Sequence, residues 1–303
     1  MSKRSPWEAL PTEAIHPKSK KLDTESAASI LATMAKEDGR VARAVHAEAR
    51  SIRRAAAMMA KALAADGRTL YVGAGTSGRL GVLEAAECPP TYGTDPSQIV
   101  GIMAGGDKAV FRSKEGVEDR ERAGEEALRA RKPSKDDLVV GISASSVTPF
   151  VRGALEVARA RDAATVLITC GPRVRGVADV VIAPEVGPEV LAGSTRMKAG
   201  TATKLVLNQM TLLAMIRLKK VFGPYMVDLK ATSAKLRDRG VRMVQSLARV
   251  DRNVAEKLLS TARDDVKTAV VMGRLRVSLD EAKRRLDTAD ADLRRVLEEG
   301  SRR

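Results

Sequence analysis

Two carboxylates and two hydroxyl-rich turns hold most of the chemistry that the residue types of this chain allow. Glu87 stands in the block ECPP, and Glu118 stands in KEGVED, which runs from Lys114 to Asp119. A carboxylate pair works as acid and base when its surroundings drive the two pKa values apart. For any single acid the alternative is a solvated surface position, and Glu115, Asp119, Glu125 and Glu126 fit that alternative. The hydroxyls fall in two places. The first turn is GAGTSG, from Gly73 to Gly78, with Gly75, Thr76 and Ser77 at its centre. The second is SASSVTP, with Ser143, Ser145, Ser146 and Thr148. Small residues let backbone approach an oxyanion, hydroxyls donate to it, and a following helix N-terminus faces it with unpaired N–H groups. Ser194, Thr195 and Lys198 lie at another helix start and add donors. A sugar phosphate, with one dianion and several hydroxyls, is the ligand that such a set of short donors suits. For each serine taken alone, a helix cap is the commoner use. Neither turn is GxGxxG or a Walker sequence.

These residues need a scaffold, and the hydrophobic pattern supplies one. Apolar β-type runs recur at Leu70–Val72, Ile99–Met103, Leu138–Ile142, Thr165–Thr169 and Val180–Ile182, with helix-forming stretches between them. That alternation predicts an α/β fold with a parallel sheet flanked by helices, in which ligands sit beyond the carboxyl ends of the strands. The first turn, the Ala104-Gly105-Gly106 turn and the second hydroxyl turn each follow a strand. A helix is expected from Arg79 to the Pro89-Pro90 pair. Two helices precede the sheet, with a break at Asp38-Gly39. After Phe222-Gly223-Pro224 the pattern is helical again, and Ser278 with Glu281 reads as a capping box. The expected division is an N-terminal segment with helices over 1–66, a ligand-binding domain over 67–223 and a C-terminal helical, UBA-like region over 224–303.

Composition narrows the function classes. The 303 residues include one Trp, three Tyr and three Phe, too few for base-stacking on single-stranded nucleic acid. The net charge of +15 is interleaved with acids and reads as a basic surface that attracts an anionic substrate. No nucleic-acid partner is expected. Cys88 and Cys170 form no ligand cluster or disulfide framework, and two histidines are too few for a His-rich metal site. The first 21 residues hold no apolar leader run, and no run reaches the length of a membrane span, so a cytoplasmic protein without membrane attachment is expected.

GAGTSGRLGVLEAAECPPTYG, the Ala104-Gly105-Gly106 turn, EGVED, SASSVTP and VGPEVLAGSTRMKAGTATKLVLNQM together resemble the N-acetylmuramic acid 6-phosphate etherases. The resemblance runs from about Leu22 through the C-terminal helices. It implies a sugar isomerase (SIS), flavodoxin-like three-layer fold and a carbon–oxygen lyase. Such an enzyme releases D-lactate from the amino-sugar phosphate during peptidoglycan recycling, without metal or organic cofactor, and as a homodimer. Glu87 matches the family's proton donor and Glu118 its second acid/base. A sugar-phosphate-binding regulator of the glucokinase regulatory protein type and a phosphosugar isomerase share the motif style and stand as alternatives. The chain departs from the family twice. TESRNP appears as TEAIHP, from Thr12 to Pro17, and SGRTP appears as SSVTP. Ile15 and Val147 therefore stand where the family has arginines, and Ser146 where it has glycine.

Overall fold

The computed structural model describes residues 10–146, 148–231 and 233–300. After a 3-10 turn at Leu22–Thr24 come helices α1 (Ala27–Ala47) and α2 (Ala49–Ala64). Strand β1 (Thr69–Gly73) leads into α3 (Gly75–Tyr92), and β2 (Ile99–Met103) leads into α4 (Lys108–Phe111) and α5 (Glu121–Arg129). Strand β3 (Leu138–Ile142) leads into α6 (Pro149–Arg159), and β4 (Ala164–Ile168) and β5 (Val180–Ile182) precede α7 (Lys198–Arg217). A hairpin of β6 (Val221–Phe222) and β7 (Tyr225–Met226) is followed by α8 (Ala234–Ala248), α9 (Arg252–Thr261), α10 (Val266–Leu275), α11 (Leu279–Thr288) and α12 (Leu293–Gly300).

The chain forms two compact units. The first comprises the residues up to Ala86 together with Ser97–Leu213, and the second comprises Glu87–Pro96 together with the chain from Ala214 onward. In the first unit β1 to β5 form one parallel sheet in the order β2-β1-β3-β4-β5. Leu70, Val72 and Val139 face α5 and α6 and bury Leu128, Val151, Ala154 and Leu155. On the other face Tyr71 reaches α2 and α7, its hydroxyl 4.0 Å from Met59 Sδ and 3.4 Å from Thr211 Oγ1. Both faces are thus covered, which is why the strands read as nearly continuous apolar runs. This is the expected three-layer α/β fold, with strand bounds within a residue or two of those read from the pattern.

The second unit is built on α8 to α12, around Val241, Val244, Leu259, Val266, Val270, Leu286 and Leu293. Ser233, Asp251, Asp265 and Ser278 each accept a hydrogen bond from the backbone N–H three residues on, capping α8 to α11. Asp228 is held between Lys220, at 2.9 Å, and the buried Lys267, at 2.7 Å.

Several helix boundaries differ from expectation. Helix α1 runs through Asp38-Gly39 and stops only at Glu48. A helical glycine costs about 1 kcal/mol against alanine, and burial of the apolar Val41 and Val45 beyond it offsets that penalty. Helix α3 starts at Gly75, four residues before Arg79, and continues through Pro89 and Pro90 to Tyr92. The prolines remove two donors to the carbonyls of Ala85 and Ala86. The helix nonetheless closes with Gly93 N–H donating to Pro89 O at 3.0 Å. Gly93 takes φ +64, and a Cβ there would stand 2.4 Å from Asp228 O. Helix α5 starts at Glu121, so Glu118 lies in the preceding turn rather than at a helix start. The hairpin and α12 had no counterpart in the sequence reading. Among the described residues no helix is long and apolar enough to cross a membrane.

Candidate active site

The sheet register sets Gly73, Met103 and Ile142 side by side, so the segments following β1, β2 and β3 leave the sheet together. Strand order reverses between β1 and β3, where open α/β sheets hold their ligands. A cavity of about 440 Å³ in the first unit lies among these segments. Its wall takes Gly75, Thr76 and Ser77 from the first turn, Ser145 and Thr148 from the second, and Lys114, Glu115 and Glu118 from the chain after β2. Leu10, Thr12 and Glu13 add an N-terminal strap, and Gly193, Thr195, Gly200 and Thr203 complete the wall.

The first turn is tight. A Cβ on Gly78 would lie 2.5 Å from Gly73 O, and one on Gly73 would lie 2.6 Å from Gly78 N, so only glycine fits at either position. Because α3 begins at Gly75, Thr76 and Ser77 sit in its first turn, whose leading N–H groups have no helical acceptor. An anion there meets both hydroxyls and backbone donors. Arg79 donates to Val110 O at 2.8 Å and to Ala109 O at 2.9 Å, which ties α4 and the chain after β2 to this helix.

The second turn divides its hydroxyls between ligand cleft and scaffold. Ser143 is buried, and its Oγ lies 2.8 Å from Thr148 Oγ1, which orients the hydroxyl that lines the cleft. Ser146 is buried too. Its Oγ lies 2.6 Å from Thr169 Oγ1 and donates to Pro172 O at 2.7 Å. Its φ is +70, a left-handed conformation that glycine adopts without cost. Gly171 leaves room for this side chain, since a Cβ there would stand 2.9 Å from Ser146 Oγ.

At the start of α7 the donors named from sequence separate in the same way. Thr195 lines the cleft, whereas Ser194 is not part of its wall. Lys198 is 2% exposed, and its Nζ donates to Glu37 Oε2 and to Val186 O, each at 2.8 Å. Buried Glu189 accepts from Lys198 N and Ala199 N at 2.9 Å, so the first donors of α7 are already satisfied. Glu37 also pairs with His16 Nε2 at 3.3 Å and Arg40 at 3.1 Å. Burial alone would raise the Glu37 carboxyl. The hydrogen bond and charge of Lys198, with Arg40 and His16, overcome that and hold it below its ordinary value. This cluster pins the N-terminal strap to α1 and α7. It was not anticipated, because its members are far apart in sequence.

Glu118 is half-buried in the cleft wall, and its carboxylate forms no hydrogen bond or ion pair among the described residues. Its backbone carbonyl accepts from Phe150 N–H at 2.9 Å, which fixes the turn against α6. Glu87 is exposed in the last part of α3 and belongs to the second unit. Of the two family departures, Ile15 is 67% exposed, while Val147 lies outside the described residues. Cys88 is buried, and burial, with the nearby Glu189 charge, pushes the Cys170 thiol up to about 12, so it stays an unreactive thiol. Sequence reasoning did not single out Glu13, Lys114 or Thr203 for the cleft. Glu13 lies within TEAIHP and Lys114 within KEGVED.

A 2-1-3-4-5 parallel sheet with hydroxyl-lined turns at its reversal point is a flavodoxin-like α/β domain whose crevice suits an anionic ligand. A family model described as the glucokinase regulatory protein N-terminal SIS domain matches residues 51–159. Among solved structures, phosphoheptose isomerase GmhA from Neisseria gonorrhoeae is 20% identical, with a TM-score of 0.47 over 61% of this chain and 97% of that one. The chain belongs to the N-acetylmuramic acid 6-phosphate etherase family. It is 49% identical to the N-acetylmuramic acid 6-phosphate etherase of Salinibacter ruber over 95% of its own length and 94% of that protein. It is also 49% identical to the one of Gloeobacter violaceus, over 90% of each chain.

Proposed function

We propose that this chain cleaves the lactyl ether of N-acetylmuramic acid 6-phosphate, yielding N-acetylglucosamine 6-phosphate and D-lactate. The observation that carries the reading is the uncommitted carboxylate of Glu118 in one cavity with Thr76, Ser77, Ser145, Thr148 and Thr195. The phosphate takes the first-turn N–H groups and these hydroxyls. Gly75 lets the backbone approach it. Ser143 acts through Thr148, while Ser146 and Lys198 support the walls.

Opening of the sugar ring exposes an aldehyde that acidifies the proton on C2. Glu118 removes that proton as base. The C3–O bond breaks, and D-lactate leaves with a proton from an acid. Water then adds to the unsaturated intermediate, so the sum is one ether and one water consumed. Glu87 is assigned the proton-donor role on the ECPP match alone. The reaction needs no metal or organic cofactor. It belongs to peptidoglycan recycling in the cytoplasm, and the working form is a homodimer.

The test is direct. Purified protein incubated with N-acetylmuramic acid 6-phosphate releases D-lactate, and Glu118→Gln abolishes most of that release. Absence of lactate from the wild type would overturn the reading. The match to a regulatory-protein SIS model favours one competitor, a non-catalytic sensor. That competitor predicts thermal stabilisation by amino-sugar phosphates with no turnover.

A further inference from the structure

The cleft wall is short of positive charge. Its described residues include three carboxylates, Glu13, Glu115 and Glu118, and a single cation, Lys114. The ammonium of Lys114 forms no hydrogen bond or ion pair with any described residue, unlike Glu115, which accepts from Ser113 Oγ at 2.6 Å. Its stem passes over the turn after β2. Gly105, in the turn after β2, has φ +84, and a Cβ there would lie 3.2 Å from Lys114 Cδ. The chain therefore presents an exposed ammonium at the cleft with no partner among the described residues.

The proposed substrate carries two anions at different ends, a phosphate on C6 and a carboxylate on the lactyl group at C3. The hydroxyl turns after β1 and β3 suit the phosphate. Lys114 comes from a different segment, the one after β2, and stands four residues before Glu118, the group proposed to work at C2. We infer that Lys114 is a specificity-determining residue that pairs with the lactyl carboxylate. This rests on the etherase reading and sharpens it: the site selects ethers that bear a carboxylate over the same sugar phosphate without one. A charge-assisted contact also offsets repulsion from the three glutamates as the anionic leaving group forms.

Lys114→Met and Lys114→Arg test the assignment. KM for N-acetylmuramic acid 6-phosphate is expected to rise about tenfold or more in Lys114→Met, from loss of one hydrogen bond to a charged group. Lys114→Arg stays within a few-fold of wild type. Inhibition by N-acetylglucosamine 6-phosphate, which has the phosphate but no lactyl group, is expected to change less than about twofold, because its contacts are untouched. Equal weakening of both ligands would place Lys114 on the phosphate and overturn the inference, as would an unchanged KM. Wild-type protein that releases no D-lactate would sink the etherase reading itself, an outcome separable from any behaviour of the variants.

Discussion

The carboxylate of Glu37 and the ammonium of Lys198 lie 2.8 Å apart, with side chains 5% and 2% exposed. Removing one partner of a buried pair leaves the other charge uncompensated, at a cost of about 3–5 kcal/mol. Glu37→Ala is therefore expected to lower the stability of the first unit by about that amount, measured by denaturant unfolding. A loss well under 1 kcal/mol would show that Lys198 is not truly desolvated.

The same pair sets an acid limit. The Glu37 carboxyl titrates below its ordinary value of 4.5 in the folded chain. Its stabilising contribution is full above that value and is lost as pH falls through the folded pKa. Glu37→Gln is thus expected to narrow the stability gap to wild type as pH drops below 4.5. Asp137 behaves alike. Burial raises its carboxyl, but hydrogen bonds from Arg68 and Ser134 take it below its ordinary range, so acid sensitivity persists in Glu37→Gln. A variant gap that is flat with pH would contradict the assignment to Glu37.

Ser146 tests the division between scaffold and ligand hydroxyls. Ser146→Ala keeps the strained backbone and removes both hydrogen bonds, costing about 1–3 kcal/mol of stability without a change in KM. Ser146→Gly relieves the left-handed strain and offsets much of that cost. If Ser146→Ala instead raises KM while melting normally, its hydroxyl meets substrate.

Among the described residues Thr12 lines the cleft with its hydroxyl buried and unpartnered, as is that of Thr69 in β1. Thr12→Val removes a polar atom that has no bond to lose. Stability is expected to stay level or rise by about 1 kcal/mol, against the usual loss for a polar-to-apolar change at a satisfied site. Clear destabilisation would reveal a partner that the free chain makes.

Glu118→Gln and Glu87→Gln separate the two acids. Loss of a positioned acid or base lowers kcat by about 10²–10⁴. Both variants are expected in that range, with KM close to wild type. Single-turnover lactate release gives the chemical step. A Glu87→Gln enzyme with normal kcat would remove Glu87 from the mechanism and leave Glu118 standing.

Much was legible in the residues themselves. The five strands could be read because helices cover both faces of the sheet, so each reads as a nearly continuous apolar run. The two turns could be read because a close approach of backbone admits only glycine and short hydroxyls. What the linear pattern could not decide is how each hydroxyl is spent. Ser145 and Thr148 line the cleft while Ser146, between them in the same turn, faces Thr169 and Pro172. Lys198 stood with Ser194 and Thr195 as a donor at a helix start, yet its charge is taken by Glu37, 161 positions earlier. Helix α3 ran on through two prolines, and α1 through a glycine, where local propensity alone would have stopped them. For Ser146 and Lys198 the deciding partner is remote in the chain. Burial and pairing energies of several kcal/mol outweigh a local preference such as the roughly 1 kcal/mol of a helical glycine, and only the folded arrangement brings those partners within reach.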